Sequence, residues 1–210
     1  MDLLSGFLTR SEFQSYEDYY ENYEVKIQDS FNFAFDVVDI IAAQAPDKVA
    51  MVWCDDKGRE EIFTFGQVRD RSNKAANFFT EMGIQKGDAV MLVLKRHYEF
   101  WFCLLGLHRI GAIAIPATHL LTKKDIVYRS NAADVKMIVA VADEEVMDHV
   151  DSAIEGSPSL AHRVVVEGSR DGWIDYTRMA AQASTAFQRP VGKAATANGD
   201  ISLLNFTSGT

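Results

Sequence analysis

Cysteine is almost missing from this sequence: Cys54 and Cys103 are the only two. They have neither the close, even spacing of a disulfide framework nor a paired metal-ligand motif, so a reducing compartment, the cytoplasm, is expected. No apolar run approaches the roughly 20 residues needed to span a bilayer, and the start shows no basic segment, apolar stretch and small-residue cleavage site in succession. Neither membrane insertion nor export is expected. Positive charge is also short, with 21 Lys and Arg against 30 Asp and Glu and a net charge of −9. That balance argues against nucleic acid or an anionic membrane as the main partner.

Familiar motifs are missing too. Without a G-x-G triplet there is no dinucleotide-binding fingerprint. Gly192-Lys193 lacks the rest of a Walker A loop, because Phe187 stands at the upstream glycine position and Ala194 at the hydroxyl position, so Lys193 reads as solvated. Neither H-E-x-x-H nor G-x-S-x-G occurs, and His97, His108, His119, His149 and His162 are scattered without metal-ligand spacing. His119 follows Pro116 at the end of an expected strand, where a ligand-facing loop belongs; no catalytic role is assigned to it.

What is present is enough apolar side chain, 48% of 210 residues, for one large or two small domains. Seven acidic residues against Arg10 and Lys26 make residues 1–30 the acidic end, and the remainder is nearly balanced. Phe13, Tyr16, Tyr20, Tyr23 and Ile27 recur at steps of 3 and 4, which predicts a helix over 12–27 with that face packed on the domain surface. A second helix is expected over 31–43. Val49 to Trp53 and Glu60 to Phe63, around Asp55-Asp56-Lys57-Gly58, predict a β-hairpin. Thr64-Phe65-Gly66-Gln67 fits a capping box opening a helix that Gly83 ends.

From Ala89 onward strands and helices alternate. Ala89 to Leu94 is apolar throughout, as in a parallel strand covered on both faces. Tyr98 to Ile110, containing Trp101, is apolar almost all round and predicts a helix buried between layers, stopping at Gly111. Strand 112–115, helix 122–132, strand 135–141, helix 144–154, strand 163–166 and helix 174–183 follow. Residues 184–199 read as an exposed connection into a last strand over 201–206. The expected fold is α/β, a mainly parallel sheet with helices on both faces, a helical extension over 1–45 and the α/β unit over 46–210.

In such sheets ligands bind at the carboxyl ends of the strands. The last expected strand delivers Thr207-Ser208-Gly209-Thr210 there, hydroxyls and a glycine suited to a phosphate loop, although the same composition also makes ordinary turns. Asp200 followed by Phe206-Thr207-Ser208-Gly209-Thr210 resembles the start of the aromatic-T-S-G-[ST]-T-G-x-P-K motif of the adenylate-forming superfamily: acyl-CoA synthetases, luciferases and peptide-synthetase adenylation domains. Upstream, Ala45-Pro46-Asp47-Lys48-Val49-Ala50, Gly83-Ile84-Gln85-Lys86-Gly87-Asp88 and Arg109-Ile110-Gly111-Ala112-Ile113-Ala114-Ile115-Pro116 are similar to the same family. Ile115 to Arg129 and the aromatic, acidic start are most similar to its acetyl- and medium-chain acyl-CoA synthetase branch.

The resemblance implies an amino-terminal portion of an enzyme that uses ATP with Mg2+ to convert a carboxylic acid to an acyl-adenylate and then passes the acyl group to CoA. It implies triphosphate contacts by Thr207, Ser208, Gly209 and Thr210, with the rest of that loop and the catalytic lysine beyond Thr210. The 210 residues alone are then expected to be inactive and prone to form homo-oligomers. A carrier-protein adenylation domain and a non-catalytic α/β binding module remain alternatives.

Overall fold

The computed structural model of the chain describes residues 3–207. A capping box starts the first long helix as its sequence dictates. Thr64 N–H donates to Gln67 Oε1 at 2.9 Å and Gln67 N–H to Thr64 Oγ1 at 3.3 Å, opening a helix over Phe65–Glu81. Before it, strands β1 (Val49–Cys54) and β2 (Glu60–Thr64) form the antiparallel hairpin.

Five parallel strands make the main sheet: β3 (Ala89–Val93), β4 (Ile113–Pro116), β5 (Val135–Val141), β6 (His162–Val166) and β7 (Ile174–Asp175), in the order β4-β3-β5-β6-β7. Every residue of β3 is buried, because helices cover both faces. With α1 (Tyr16–Asn22) and α2 (Ile40–Gln44) preceding it, the Phe65–Glu81 helix is α3. It packs with α4 (Glu99–Ile110) and α7 (Tyr176–Gln182) on one face, and α5 (Lys123–Ala133) packs with α6 (Glu144–Ala153) on the other.

The crossing of α3 and α4 is close because Gly106 has no side chain: a Cβ there would lie 2.7 Å from Ala75 Cβ and 2.9 Å from the Ala76 nitrogen. Gly111 ends α4 in the left-handed region at φ 73°, as its sequence position predicts.

Arg109, fully buried, ties the amino-terminal segment to this layer. Its guanidinium donates to both Asp39 carboxylate oxygens, at 2.9 and 2.6 Å, and to Ser72 Oγ at 3.0 and 2.9 Å, and it lies over the Phe35 ring. Asp39 closes a π-helical turn, Ala34–Asp39, that continues into α2, so the helix expected over 31–43 forms with a widened first half.

Four expectations need correction. The 12–27 helix is only α1, capped by Ser15, and none of its residues is buried. Residues 24–26 are drawn into extended pairing with 7–9 through the Leu8–Val25 bridge, which is incompatible with another helical turn, and Tyr16 and Tyr20 are 71% and 75% exposed. Ile174-Asp175 pairs with β6 before helix α7 begins, with Asp175 as its N-cap. Over 201–206 there is a single parallel bridge, Leu203 to Ala114 of β4, held by Ala114 N–H to Ser202 O at 3.1 Å and Leu204 N–H to Ala114 O at 3.0 Å. Trp101, expected inside, is half exposed and lines a cleft.

Candidate functional site

The carboxyl edge of the sheet is the place to look, and β3 delivers a basic run to it: Lys95, Arg96 and His97. Lys95 takes the left-handed conformation at φ 49°, and Glu167, just beyond β6, takes it at φ 55°. Two non-glycine residues in this region at one sheet edge mark a locally strained turn chemistry there.

In the strand order β4-β3-β5, the chain leaves β3 toward β4 and leaves β5 toward β6, so the crevice of a doubly wound sheet falls between the ends of β3 and β5. A salt bridge spans it, Lys95 Nζ to Asp143 Oδ2 at 2.6 Å, and the lysine holds the Asp143 carboxyl below the usual range. His97 sits beside it with Nδ1 3.7 Å from Glu99 Oε2 and 3.7 Å from Glu167 Oε2. The interaction with Glu99 raises the His97 pKa, against an opposing effect of burial.

The hairpin leans on this edge. Trp53 Nε1–H donates to Arg96 O at 2.5 Å, and Arg59 lies over Trp53 while bonded to Asp55 at 2.6 Å. Between hairpin and sheet runs a cleft of about 720 Å³ lined by Lys57, Arg59, Lys95, Arg96 and His119 against Asp55 and Asp56, so that its cations outnumber its carboxylates. A second cleft, about 490 Å³, runs between Arg96, Phe100, Trp101 and Pro116. Such a cationic cleft at the ends of parallel strands can hold an anionic ligand.

The expected phosphate loop approaches from the β4 side. Phe206 packs against Tyr128 with ring centroids 6.1 Å apart, and Arg129 lies 5.2 Å from its ring centroid. Thr207 is exposed beyond it, running parallel to β4 toward the same edge; Ser208, Gly209 and Thr210 lie outside the described residues. Asp200 is bound to Lys86 at 2.8 Å, which keeps its carboxyl low and anchors the start of this segment.

His119 lies in the loop where sequence position puts it, exposed on the hairpin cleft. Lys193 is exposed, as read. Burial pushes the Cys103 thiol up to about 12, which removes it as a nucleophile. Among the described residues no group of His, Cys, Asp or Glu assembles a metal site, and no helix is long and apolar enough to cross a membrane. Sequence reasoning missed the Lys95-Arg96-His97 run, although three basic residues directly after an all-apolar strand signal a charged strand end. It had no signal for Glu99 and Glu167, which meet His97 only through the fold.

Comparison with known proteins agrees with this architecture. The chain is 35% identical over 191 residues to the mitochondrial acyl-coenzyme A synthetase ACSM5 of Rattus norvegicus, covering 88% of this chain and 32% of that protein. It is 35% identical over 187 residues to the mitochondrial acyl-coenzyme A synthetase ACSM2A of Homo sapiens, covering 86% and 31%. The chain thus spans about a third of the length of these relatives. Among solved structures, an anthranilate CoA ligase, AuaEII, in complex with anthranoyl-AMP shares the fold with a TM-score of 0.73 at 24% identity, over 87% of this chain and 33% of that one. The Brucella canis acyl-CoA synthetase does so at 0.72 and 24% identity, over 86% and 32%. Residues 38–210 match the family described as AMP-binding enzyme, and the chain therefore belongs to that adenylate-forming family.

Proposed function

We propose that these residues serve an ATP-dependent acid–thiol ligase of the acyl-CoA synthetase kind. In that reaction a carboxylate oxygen attacks the α-phosphorus of ATP, the bond to the β-phosphate oxygen breaks, and pyrophosphate leaves. The CoA thiolate then attacks the acyl carbon and AMP leaves. The observation that carries the reading is the sustained likeness to acyl-CoA synthetases across 86–88% of the chain.

Within it, Thr207, Ser208, Gly209 and Thr210 would hold the triphosphate. Hydroxyl and backbone N–H donors fit the charge that develops on a departing pyrophosphate, and Mg2+ would neutralise the same oxygens. The exposed position of Thr207, after a segment that runs parallel to β4 toward its carboxyl edge, supports that assignment.

Residues 1–210 alone are expected to give no ATP–pyrophosphate exchange above background with acetate, butyrate, hexanoate or benzoate, since they span about a third of the related synthetases. Robust exchange by these residues would refute that. In the longer protein, Thr207→Val is expected to lower exchange by roughly ten- to a hundredfold, the scale of a lost transition-state donor; unchanged exchange would remove Thr207 from the site. A carrier-protein adenylation domain is distinguished by transfer to a pantetheinylated protein instead of free CoA.

Two further readings belong here. Leu120, Ile201 and Leu203, exposed at or next to the β4 edge, favour self-association, which light scattering reads as a mass above 23.5 kDa. Cys54 and Cys103 are both free, which suits a reducing compartment. The cytoplasm is proposed, and fractionation against the mitochondrial location carried in the relatives' names decides it.

A further inference from the structure

On the face formed by α3, α4 and α7 lies a trough of about 430 Å³ that the proposed ligase reaction does not use. Its volume falls in the range of small-molecule sites, roughly 300–1,000 Å³. The floor is built of Phe102, Tyr176 and Glu99, which are 2%, 4% and 7% exposed. Glu99 Oε2 is buried without a hydrogen-bond partner, its His97 contact at 3.7 Å lying beyond hydrogen-bond length. Only the His97 ion pair offsets the burial of that oxygen, and the Glu99 carboxylate, which lines the trough, has no other donor among the described residues, so a donor entering the trough would complete it.

The wall carries two cations, Arg71 and Lys74, beside Asp70, whose carboxylate is taken up by Arg69 at 2.8 Å. Arg71 lies over the Phe63 and Phe102 rings at 5.1 and 5.3 Å, and Lys74 donates to Ala181 O at 2.8 Å. Neither is neutralised by a carboxylate among the described residues, so an acid group binding between them would be held by charge-assisted hydrogen bonds. The trough therefore presents an acceptor on an aromatic floor and donors on its wall.

We propose that this trough binds a small zwitterion, an amino acid whose ammonium group meets Glu99 and the faces of Phe102 and Tyr176 and whose carboxylate meets Arg71 and Lys74. The aromatic floor adds to ammonium binding through the ring quadrupoles. Selectivity follows from needing both charges: an amine lacks the partner for Arg71, and a carboxylate lacks the donor for Glu99.

Isothermal titration of the full chain with glycine, β-alanine, γ-aminobutyrate and 6-aminohexanoate tests this, with n-butylamine and butyrate as single-charge controls. The expected result is saturable binding of at least one member of the series with a millimolar or lower Kd, about tenfold or more tighter than either control. Arg71→Ala, at an exposed position, is expected to weaken that binding about tenfold or more, as is Glu99→Gln. Backbone amide shifts in the NMR spectrum are expected to map to Gln67 and Thr177 on the trough. No saturable binding across the series, equal binding of the controls, shifts confined elsewhere, or an unchanged Kd in Arg71→Ala would each overturn the proposal. Circular dichroism checks the folding of each variant. Should Glu99→Gln not fold, Arg71→Ala and Lys74→Gln decide the matter alone. Pyrophosphate exchange plays no part in these readouts, so this proposal and the ligase reading stand or fall separately.

Discussion

Single side chains set how the amino-terminal segment is held. Arg109 is fully buried with both arms on Asp39 and its remaining donors on Ser72, so removing it leaves the Ser72 hydroxyl unpaired beneath α4 and the part-buried Asp39 carboxylate without its partner. Arg109→Ala is expected to cost about 3–5 kcal/mol in urea unfolding. Arg109→Lys should recover little of that, because an ammonium cannot reproduce the two-pronged geometry. His97 gives a pH signature. Its pKa is raised in the folded chain, so its contribution to stability is complete below the unfolded value near 6.5 and disappears as pH rises through the folded value. Glu99 and Glu167 favour its charged form and Arg59 opposes it. Melting temperatures measured from about pH 6 to 8 are expected to fall in this interval, and His97→Gln should flatten that component. Neither residue advertised its role: Arg109 is one cation among 21 basic residues in the sequence, and its partners Asp39 and Ser72 are 70 and 37 positions away.

At the scale of elements, the α3–α4 crossing is the tightest joint of the layer. Gly106→Ala drives a methyl into Ala75 and into the backbone at Ala76, neither of which can swing aside, and is expected to cost about 1–3 kcal/mol in the same unfolding experiment. Elements governed by local chemistry could be read directly from the sequence. The Thr64-Gln67 box starts α3, Gly111 ends α4, and the all-apolar run at Ala89 becomes the wholly buried strand β3. The misreadings arose where pairing competes with periodicity. The aromatic spacing of residues 13–27 fits a helix, yet the bridge from Leu8 to Val25 claims its second half, and Phe13 turns back onto the rings of Tyr19 and Tyr23. Ile174 likewise fits a helix, but β6 offers it a free edge.

For the molecule as a whole, the parallel sheet and its two helical layers followed from alternation of elements, whereas the cleft at the sheet edge was not legible. Thr207 was expected at the strand ends, and the segment before it does run parallel to β4; the cleft at the ends of β3 and β4 is bounded by the hairpin, and no local pattern says that Trp53 will reach the carbonyl of Arg96. The connection over 184–199 was expected to be exposed, and most of it is, but it is not slack. Asn73 donates to Thr185 O, Asn77 to Ser184 O and Ala186 O, Lys86 to Ala195 O, Asn32 to Thr196, and Arg189 grips Asp36 and the Ser30 carbonyl. A peptide bond must come free over several residues before a protease can seat it, so these straps should shelter a stretch that otherwise looks ideal for nicking. Brief trypsin digestion is expected to cut at Lys57 in the hairpin turn well before Arg189 or Lys193, and mass spectrometry of the first fragments would show it. The Asn73→Ala/Asn77→Ala double variant should bring cleavage at Arg189 forward, turning two amides on α3 into the measured guard of a loop more than 100 residues away in the chain.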